Sequence, residues 1–435
     1  MPLPPFGTDG MRGPAEAFTH GEVAQHAAAA TTYMHDEGTG GAVLIGHDPR
    51  ESSKRIADAL AEGVTNVGEV AVMLGEIPTP GVAYAARLSG KVAAMVTASH
   101  NRWTDNGIKF FNPNGTKLTD DQQRGISALA AAGVPAAREI GVRKENAYLP
   151  RRYAEFLIES ADDATFDGLR VALDMANGAA SDYAAGVFTK LGVDVTAMHD
   201  VPNGRNINEK CGATDTRSLR ERVVADGLNM GAAFDGDADR IVMVDERGRE
   251  VNGDHIMFIL GVTGLHKGIV ATEMTNLGTE QALQQHGIAL HRTDVGDRYV
   301  LEGLRQTGYT LGGEQSGHII LPDLLPTGDG MLAAVQTIRA VRESGYSLAE
   351  WRDAVPLIPQ KTVNLPLPDK TLLQHEAVQE FIDLQRMLFG DTGRILIRPS
   401  GTEALVRVMI ESPDAETITP KIVDKFSALL DQIAA

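Results

Sequence analysis

Ala42-Val43-Leu44-Ile45-Gly46-His47-Asp48-Pro49 decides the fold. Its four apolar residues read as a short buried strand, and the Gly-His-Asp-Pro that follows stops it. Ser52 or Ser53 then stands where a helix N-cap belongs. Ile56, Leu60 and Val64, at i, i+4 and i+8, place an apolar stripe on that helix. A strand near Val70–Leu74, a helix from about Gly81 to Leu88 and a strand over Val92–Val96 come next. This β-α-β-α-β order predicts a sheet with parallel strands and covering helices.

The same grammar recurs twice. Leu169–Leu173, a helix near Ala179–Leu191, Val193–Thr196 and Gly231–Phe234 form a second unit. Ile269–Thr272, a helix over Leu277–His286, Ala289–Arg292, a helix over Arg298–Gln306 and Tyr309–Leu311 form a third. Beyond Pro356 the order becomes β-α-β-β-α: Thr362–Leu367, Leu373–Leu388, Ile395–Ile397, Leu405–Ile410 and a helix from about Glu416. The expectation is an α/β protein of three similar α/β/α domains, 1–145, 146–250 and 251–355, plus a smaller α+β domain over 356–435. A length of 435 residues suits this, at roughly 150 residues per domain.

Composition excludes several functions. Lys and Arg number 40 against 58 Asp and Glu, and the net charge of −18 repels nucleic acid and anionic lipid. The start lacks the basic and apolar regions of a leader, and the longest apolar run, Ile256–Val262, is too short for a bilayer. Cys211 is the single cysteine, so neither an intramolecular disulfide nor a thiolate metal cluster can form, which fits the cytoplasm.

Ligands of open α/β sheets bind beyond the carboxyl ends of strands, and four loops there carry unusual chemistry. After Val92–Val96 comes Thr97-Ala98-Ser99-His100-Asn101, whose Ser99 is a candidate nucleophile, the alternative being a serine that satisfies loop backbone. Gly-x-Ser-x-Gly is absent, so this is no hydrolase elbow. Lys109 opens onto Phe110-Phe111, where partial burial would lower its pKa and suit it to proton transfer. In Asp235-Gly236-Asp237-Ala238-Asp239-Arg240 three carboxylates at alternate positions converge if the chain is extended, and they call for a hard cation such as Mg²⁺. A calcium EF-hand is excluded because Arg240 takes the sixth position, where Gly is needed; an acidic solvated hairpin is the competing reading. Gly312-Gly313-Glu314-Gln315-Ser316-Gly317-His318 offers hydrogen-bonding groups for sugar hydroxyls, although such a turn is often only a turn. Arg398-Pro399-Ser400-Gly401-Thr402-Glu403, with Arg407, reads as a phosphate cradle or as a capped β-turn; no Walker A sequence is present.

Taken together, these loops resemble the α-D-phosphohexomutase superfamily over nearly the whole chain. Further matching motifs are Phe6–Gly13, Asp105–Phe111, Val295–Tyr299 and Gly328-Asp329-Gly330. Gln315 and the stretch Asn206–Asp215 point to the branch that acts on glucosamine phosphates. The resemblance implies four domains around a central cleft, and a phosphoserine at Ser99. One Mg²⁺ would be held by that phosphoserine with Asp235, Asp237 and Asp239. It implies interconversion of glucosamine 6-phosphate and glucosamine 1-phosphate through glucosamine 1,6-bisphosphate, which feeds amino-sugar nucleotide and cell-wall precursor synthesis. Arg12 and Arg240 would hold phosphoserine or sugar, and Lys109 and His318 would move protons. Glu314, Ser316 and His318 would bind the sugar, and Arg398, Ser400, Gly401, Thr402 and Arg407 the second phosphate. The family suggests a homodimer with a small sugar phosphate as its partner, and neither nucleic acid nor membrane. A mutase for glucose or mannose phosphates, a metal-dependent sugar phosphatase and a non-catalytic sugar-phosphate sensor are the rivals. Arg102-Trp103 and Ala404 replace family prolines, and Ala238 replaces the usual glycine, at about 1 kcal/mol if φ there is positive.

Overall fold

The strand Ala42–His47 lies inside a seven-stranded sheet, parallel to both of its neighbours, Val70–Glu76 and Val92–Val96. Period-two alternation splits its side chains between two cores. Val43 and Ile45 pack with Ile56, Leu60 and Val64 of the helix Ser53–Asn66, whereas Leu44 packs with Val82 and Ala86 of the helix Thr79–Ser89. Burial on both faces explains the unbroken apolar run. The sheet continues through the antiparallel strand Asp105–Phe111, which carries Lys109, to Gly10–Pro14. Neither Ser52 nor Ser53 caps the helix with its side chain. Ser53 Oγ donates to Asp48 Oδ1 at 2.5 Å instead, and both hydroxyls accept from Asn106 Nδ2.

This computed structural model describes residues 3–7, 9–367, 369–399 and 404–434. They form two compact units. One runs to Thr272 and resumes over Ile288–Asp353; the other comprises Glu273–Gly287 and the described residues from Ala354 onward.

The first unit holds two more sheets. In one, Met230–Phe234 lies between Arg170–Asp174, to which it is parallel, and Ile241–Asp245, to which it is antiparallel. The helix expected over Ala179–Leu191 shrinks to Ala184–Lys190. Before it the chain is pressed onto the aspartate loop: Ala176 and Asn177 have positive φ, and a Cβ on Gly178 would lie 2.4 Å from the Gly236 carbonyl. In the other sheet, Gly268–Thr272 pairs in parallel with Ala289–Thr293 and Gly312–Gly313. The strand expected at Tyr309–Leu311 thus begins at Gly312, where a Cβ would meet Val270 O and Val300 Cγ1, each at 2.8 Å. Only glycine fits between that neighbour and the helix Asp297–Thr307.

The second unit is a three-stranded antiparallel sheet in the order Gln360–Pro366, Leu405–Glu411, Arg394–Pro399. The helix Glu376–Phe389 gives Val378 and Ile382 to its core, and the helix Ala415–Ala434 gives Phe426. It also takes the helix Leu277–Gln285: Asn276 Oδ1 and Nδ2 exchange hydrogen bonds with the Ile358 backbone, each at 2.9 Å, and Gln281 bonds the Asp391 carbonyl. No helix among the described residues is long and apolar enough to cross a membrane.

One buried histidine gives the first unit an acid limit. His255, 2 % exposed on the helix Gly253–Thr263, has Nδ1 2.7 Å from Asn252 Oδ1. Burial, helped by the charge of Arg352, lowers its pKa to about 4. The unfolded chain takes up a proton below about pH 6.5, while the folded ring stays neutral. Stability from this group is therefore complete above about pH 6.5 and falls as the pH drops towards 4, by about 3 kcal/mol in all. Denaturant midpoints of wild type and His255→Gln, compared from pH 7.5 to 4.5, should show a shallower acid-side loss in the variant; equal slopes would contradict this.

Candidate active site

Ser99 follows the strand Val92–Val96 directly and is completely buried, with φ at +51°. That left-handed backbone disfavours a residue with a Cβ. Its N–H donates to Thr97 Oγ1 at 2.9 Å, and its Oγ donates to Asp235 Oδ2 at 2.6 Å. His100 Nδ1 lies 3.3 Å from the same Oγ. Burial, then the charges of Arg240 and Arg12, lower the His100 pKa to about 4, so the ring is neutral and adds no charge beside Ser99.

Asp235, Asp237 and Asp239 do converge, with one carboxylate oxygen of each within 4.8 Å of the others. They do so in a tight turn and not along an extended strand: Ala238 has φ +58°, and its N–H bonds the Asp235 carbonyl. With exposures of 0 %, 0 % and 3 % they are no solvated hairpin. Burial and the two neighbouring carboxylates push the Asp235 pKa well up. The positive φ fulfils the condition for strain at Ala238. Ala238→Gly is therefore expected to stabilise the chain by on the order of 0.5–1 kcal/mol, read as a raised melting temperature. An unchanged or lower value would show that Ala238 is not strained.

The turn is locked from both sides. Gly330 N–H donates to the Ala238 carbonyl, and Ile241 N–H donates to that of Gly317. Gly317 has φ +90°, and a Cβ there would sit 1.8 Å from Ile241 O, so the Glu314–His318 loop reaches the aspartate turn only through glycine.

Lys109 corrects the sequence expectation of a lowered pKa. At 2 % exposure burial does oppose its charge, but Asp237 at 2.9 Å, with Asp239 and Asp9 at 3.2 Å, raises its pKa well above the usual value. Lys109 opens a closed ring of alternating charge. Asp9 pairs with Lys117, Lys117 with Asp297 at 2.6 Å, and Asp297 with His318 Nε2 at 3.4 Å. His318 Nδ1 lies 3.8 Å from Asp239, which returns to Lys109. Burial disfavours charge on His318, but Asp239 and Asp297 outweigh it and raise its pKa to about 10. The Gly328 N–H, 3.1 Å from Nε2, suits the neutral ring and opposes them. Burial would raise the Asp9 carboxyl too, yet Lys109 and Lys117 hold it at about 2.

Other expected residues are placed unevenly. Arg12 pairs with Asp9 at 2.5 Å, and Arg240 Nε lies 3.9 Å from Asp239. Glu314 accepts from Gly296 N–H at 3.2 Å, whereas Ser316 is exposed. Arg398 and Arg407 face each other across paired strands of the second unit. Ser400, Gly401 and Thr402 lie outside the described residues. Sequence reasoning missed His100, Lys117, Asp9 and Asp297 as site groups, although three of them lie in motifs quoted above. Beside the ring is a cavity of about 260 Å³, lined by Lys117, Asp297, Arg298 and Tyr299 among others.

Comparison with known proteins agrees with this geometry. Four family profiles match in order, all phosphoglucomutase/phosphomannomutase: alpha/beta/alpha domain I at residues 4–135, domain II at 151–248, domain III at 252–357 and the C-terminal domain at 363–424. A phosphoglucosamine mutase of Thermus thermophilus is 40 % identical over 435 residues, covering 99 % of each chain. One of Staphylococcus aureus is 40 % identical over 450 residues, covering 96 % of this chain and 97 % of its own. The fold is shared with a phosphoglucomutase/phosphomannomutase family protein of Burkholderia thailandensis, at TM-score 0.80 and 21 % identity over 98 % of this chain and 97 % of that one. It is shared also with the N-acetylphosphoglucosamine mutase of Aspergillus fumigatus, at TM-score 0.72 and 17 % identity over 99 % and 96 %. With its serine loop, aspartate turn and three α/β/α domains followed by a C-terminal one, the chain belongs to the phosphoglucomutase/phosphomannomutase family, in its phosphoglucosamine mutase group.

Proposed function

We propose that this chain works through Ser99, its Oγ acting as carrier of the phosphoryl group in the interconversion of glucosamine phosphates. The observation that carries the proposal is the 2.6 Å hydrogen bond from Ser99 Oγ to Asp235, within a buried triad of carboxylates. O1 of glucosamine 6-phosphate takes the phosphoryl group from phosphorylated Ser99: the O1–P bond forms, the P–Oγ bond breaks, O1 loses a proton and Oγ gains one. The 1,6-bisphosphate turns over. Its 6-phosphoryl group then passes to Oγ, leaving glucosamine 1-phosphate. Little covalent chemistry falls to the protein, and placement with charge neutralisation supplies the rate.

The residues present fit a hard divalent cation, since Asp237 Oδ1 and Asp239 Oδ1 are buried without a hydrogen-bond partner. Asp235, Asp237 and Asp239, with the Ser99 phosphoryl group, would hold one Mg²⁺. Bound there, the ion supplies charge neutralisation on the transferring group. Lys109 and His318 are assigned to the two proton transfers, from the attacking hydroxyl and to the departing oxygen. Arg12 and Arg240 steady the phosphoryl group or sugar, and Glu314 and Ser316 bind hydroxyls. Arg398, Arg407 and the Ser400–Thr402 segment take the second phosphate. Four domains bounded near 145, 250 and 356, a central cleft, a homodimer and a cytoplasmic location belong to the same proposal.

Phosphorus NMR on glucosamine, glucose and mannose 6-phosphates, each with Mg²⁺ and a trace of its bisphosphate, tests the substrate. Glucosamine 1-phosphate should form fastest. Preference for glucose or mannose phosphates, or accumulation of inorganic phosphate, would replace the proposal with a broader hexose mutase or a phosphatase.

A further inference from the structure

Two residues outside the proposed chemistry grip the backbone of the Ser99 loop. Arg50 has a side chain with no exposed surface. Its Nε donates to Asp48 Oδ2 at 2.7 Å. Its Nη2 donates to the carbonyls of Ser99 at 2.7 Å and Asn101 at 3.0 Å, and its Nη1 to those of Arg102 at 2.5 Å and Asp105 at 3.2 Å. A planar guanidinium spreads several donors at fixed angles, so it can bind several carbonyls at once where a lysine cannot.

Asp48 is itself fully buried and saturated. Its Oδ1 accepts from Ser53 Oγ and Arg50 N–H, and its Oδ2 from Thr97 Oγ1 at 2.8 Å and Arg50 Nε. Thr97 Oγ1 in turn accepts the Ser99 N–H. The peptide groups on both sides of Ser99 are thus tied to one carboxylate–guanidinium pair.

The second hand comes from elsewhere in the chain. Asn208 Nδ2 donates to Ser99 O at 2.9 Å and Asn101 O at 3.0 Å, the two carbonyls that Arg50 Nη2 also holds. Two acceptors for two amide protons fix which way this amide faces. Asn208 lies in the stretch that pointed to the glucosamine branch, and its own φ is +58°. Gly236 closes the box, since a Cβ there would lie 2.6 Å from Ser99 O and 2.7 Å from Asn208 Nδ2.

We propose that Arg50 and Asn208 are positioning residues that hold Ser99 in its left-handed conformation and so set where Oγ meets the aspartate triad. Ser99 at φ +51° lies in the left-handed region that disfavours a residue with a Cβ, and such a conformation persists only where its surroundings over-determine it. Gripping one carbonyl from two sides does this without touching substrate. A displacement of about 1 Å at a reacting atom is enough to lose about a hundredfold in rate. The inference rests on Ser99 being the phosphoryl carrier.

The experiment compares wild type, Asn208→Ala, Asn208→Asp and Arg50→Lys. Each is incubated with Mg²⁺ and glucosamine 1,6-bisphosphate, then assayed for phosphate on Ser99 by intact and peptide mass, for kcat and KM with glucosamine 6-phosphate, and for melting. Asn208→Ala should lose roughly tenfold to a hundredfold in kcat with KM within about threefold and melting nearly unchanged. Asn208→Asp, the same shape with acceptors facing two carbonyls, should lose more. Arg50→Lys leaves loop carbonyls unbound and should lose at least as much; if it fails to fold, the Asn208 pair decides. Wild-type kcat in folded Asn208→Ala, or a raised KM at unchanged kcat, overturns the positioning role. A wild type that turns over substrate yet never carries phosphate on Ser99 overturns the carrier assignment first, and is told apart by mass alone.

Discussion

Ser99→Ala is expected to reduce mutase turnover by roughly 10⁴-fold or more while the protein remains folded. The loss follows from chemistry and not from packing. Alanine keeps the Cβ and accepts the same φ of +51°, and the grip on the backbone carbonyl needs no hydroxyl. What disappears is the oxygen that forms and breaks the bond to phosphorus. No neighbour replaces it, because Thr97 Oγ1 is committed to Asp48 and the Ser99 N–H. The structural penalty is the hydrogen bond to Asp235 and the longer one shared with His100 Nδ1, on the order of 1–2 kcal/mol together. Intact mass after incubation with the bisphosphate should show a phosphoryl group on wild type and none on the variant. Residual turnover above a tenth of wild type would remove Ser99 from the mechanism.

Lys109→Met should be the most damaging single change to the resting structure of the site. The ammonium is buried against the equally buried Asp237 and Asp239, and also meets Asp9. A methionine fills the space but leaves buried carboxylates facing one another. Removing one partner of a buried pair costs about 3–5 kcal/mol, so melting without metal should fall by on the order of 10 °C. Added Mg²⁺ should recover more of this in the variant than it adds to wild type, because the vacated charge lies next to the triad. Turnover should fall as well, whether or not stability is recovered. A variant that melts like wild type in the absence of metal would show that the ring does not govern stability.

What could be read from sequence was what is local. The unbroken apolar run Ala42–Ile45 foretold a buried strand, and the i, i+4, i+8 stripe at Ile56, Leu60 and Val64 foretold the helix packed against it. The aspartate turn was legible because like charges so closely spaced have few uses. Its geometry was not, since convergence came from a positive φ at Ala238 and not from an extended strand. The pKa of Lys109 was read the wrong way because burial is visible in Phe110-Phe111, whereas its partners stand 100 and more residues away in sequence. Lys117 and Asp297 escaped for the same reason. Short glycine segments misled about boundaries: Gly312-Gly313 has no apolar signature, yet it pairs on both edges.

The helix Leu277–Gln285 packs with residues that lie some 80 to 110 positions later. The second unit is therefore not a cassette at the end of the gene. During synthesis this helix leaves the ribosome well before Ile358 and Asp391 exist, so it waits unpaired, and long-range closure of this kind slows folding. A chain truncated near residue 356 would strand it without its partners. Recombination between relatives at that boundary would likewise join a helix from one parent to a sheet from the other. Exchange of the C-terminal sheet alone would leave the Asn276–Ile358 and Gln281–Asp391 hydrogen bonds to be re-formed between sequences from two parents.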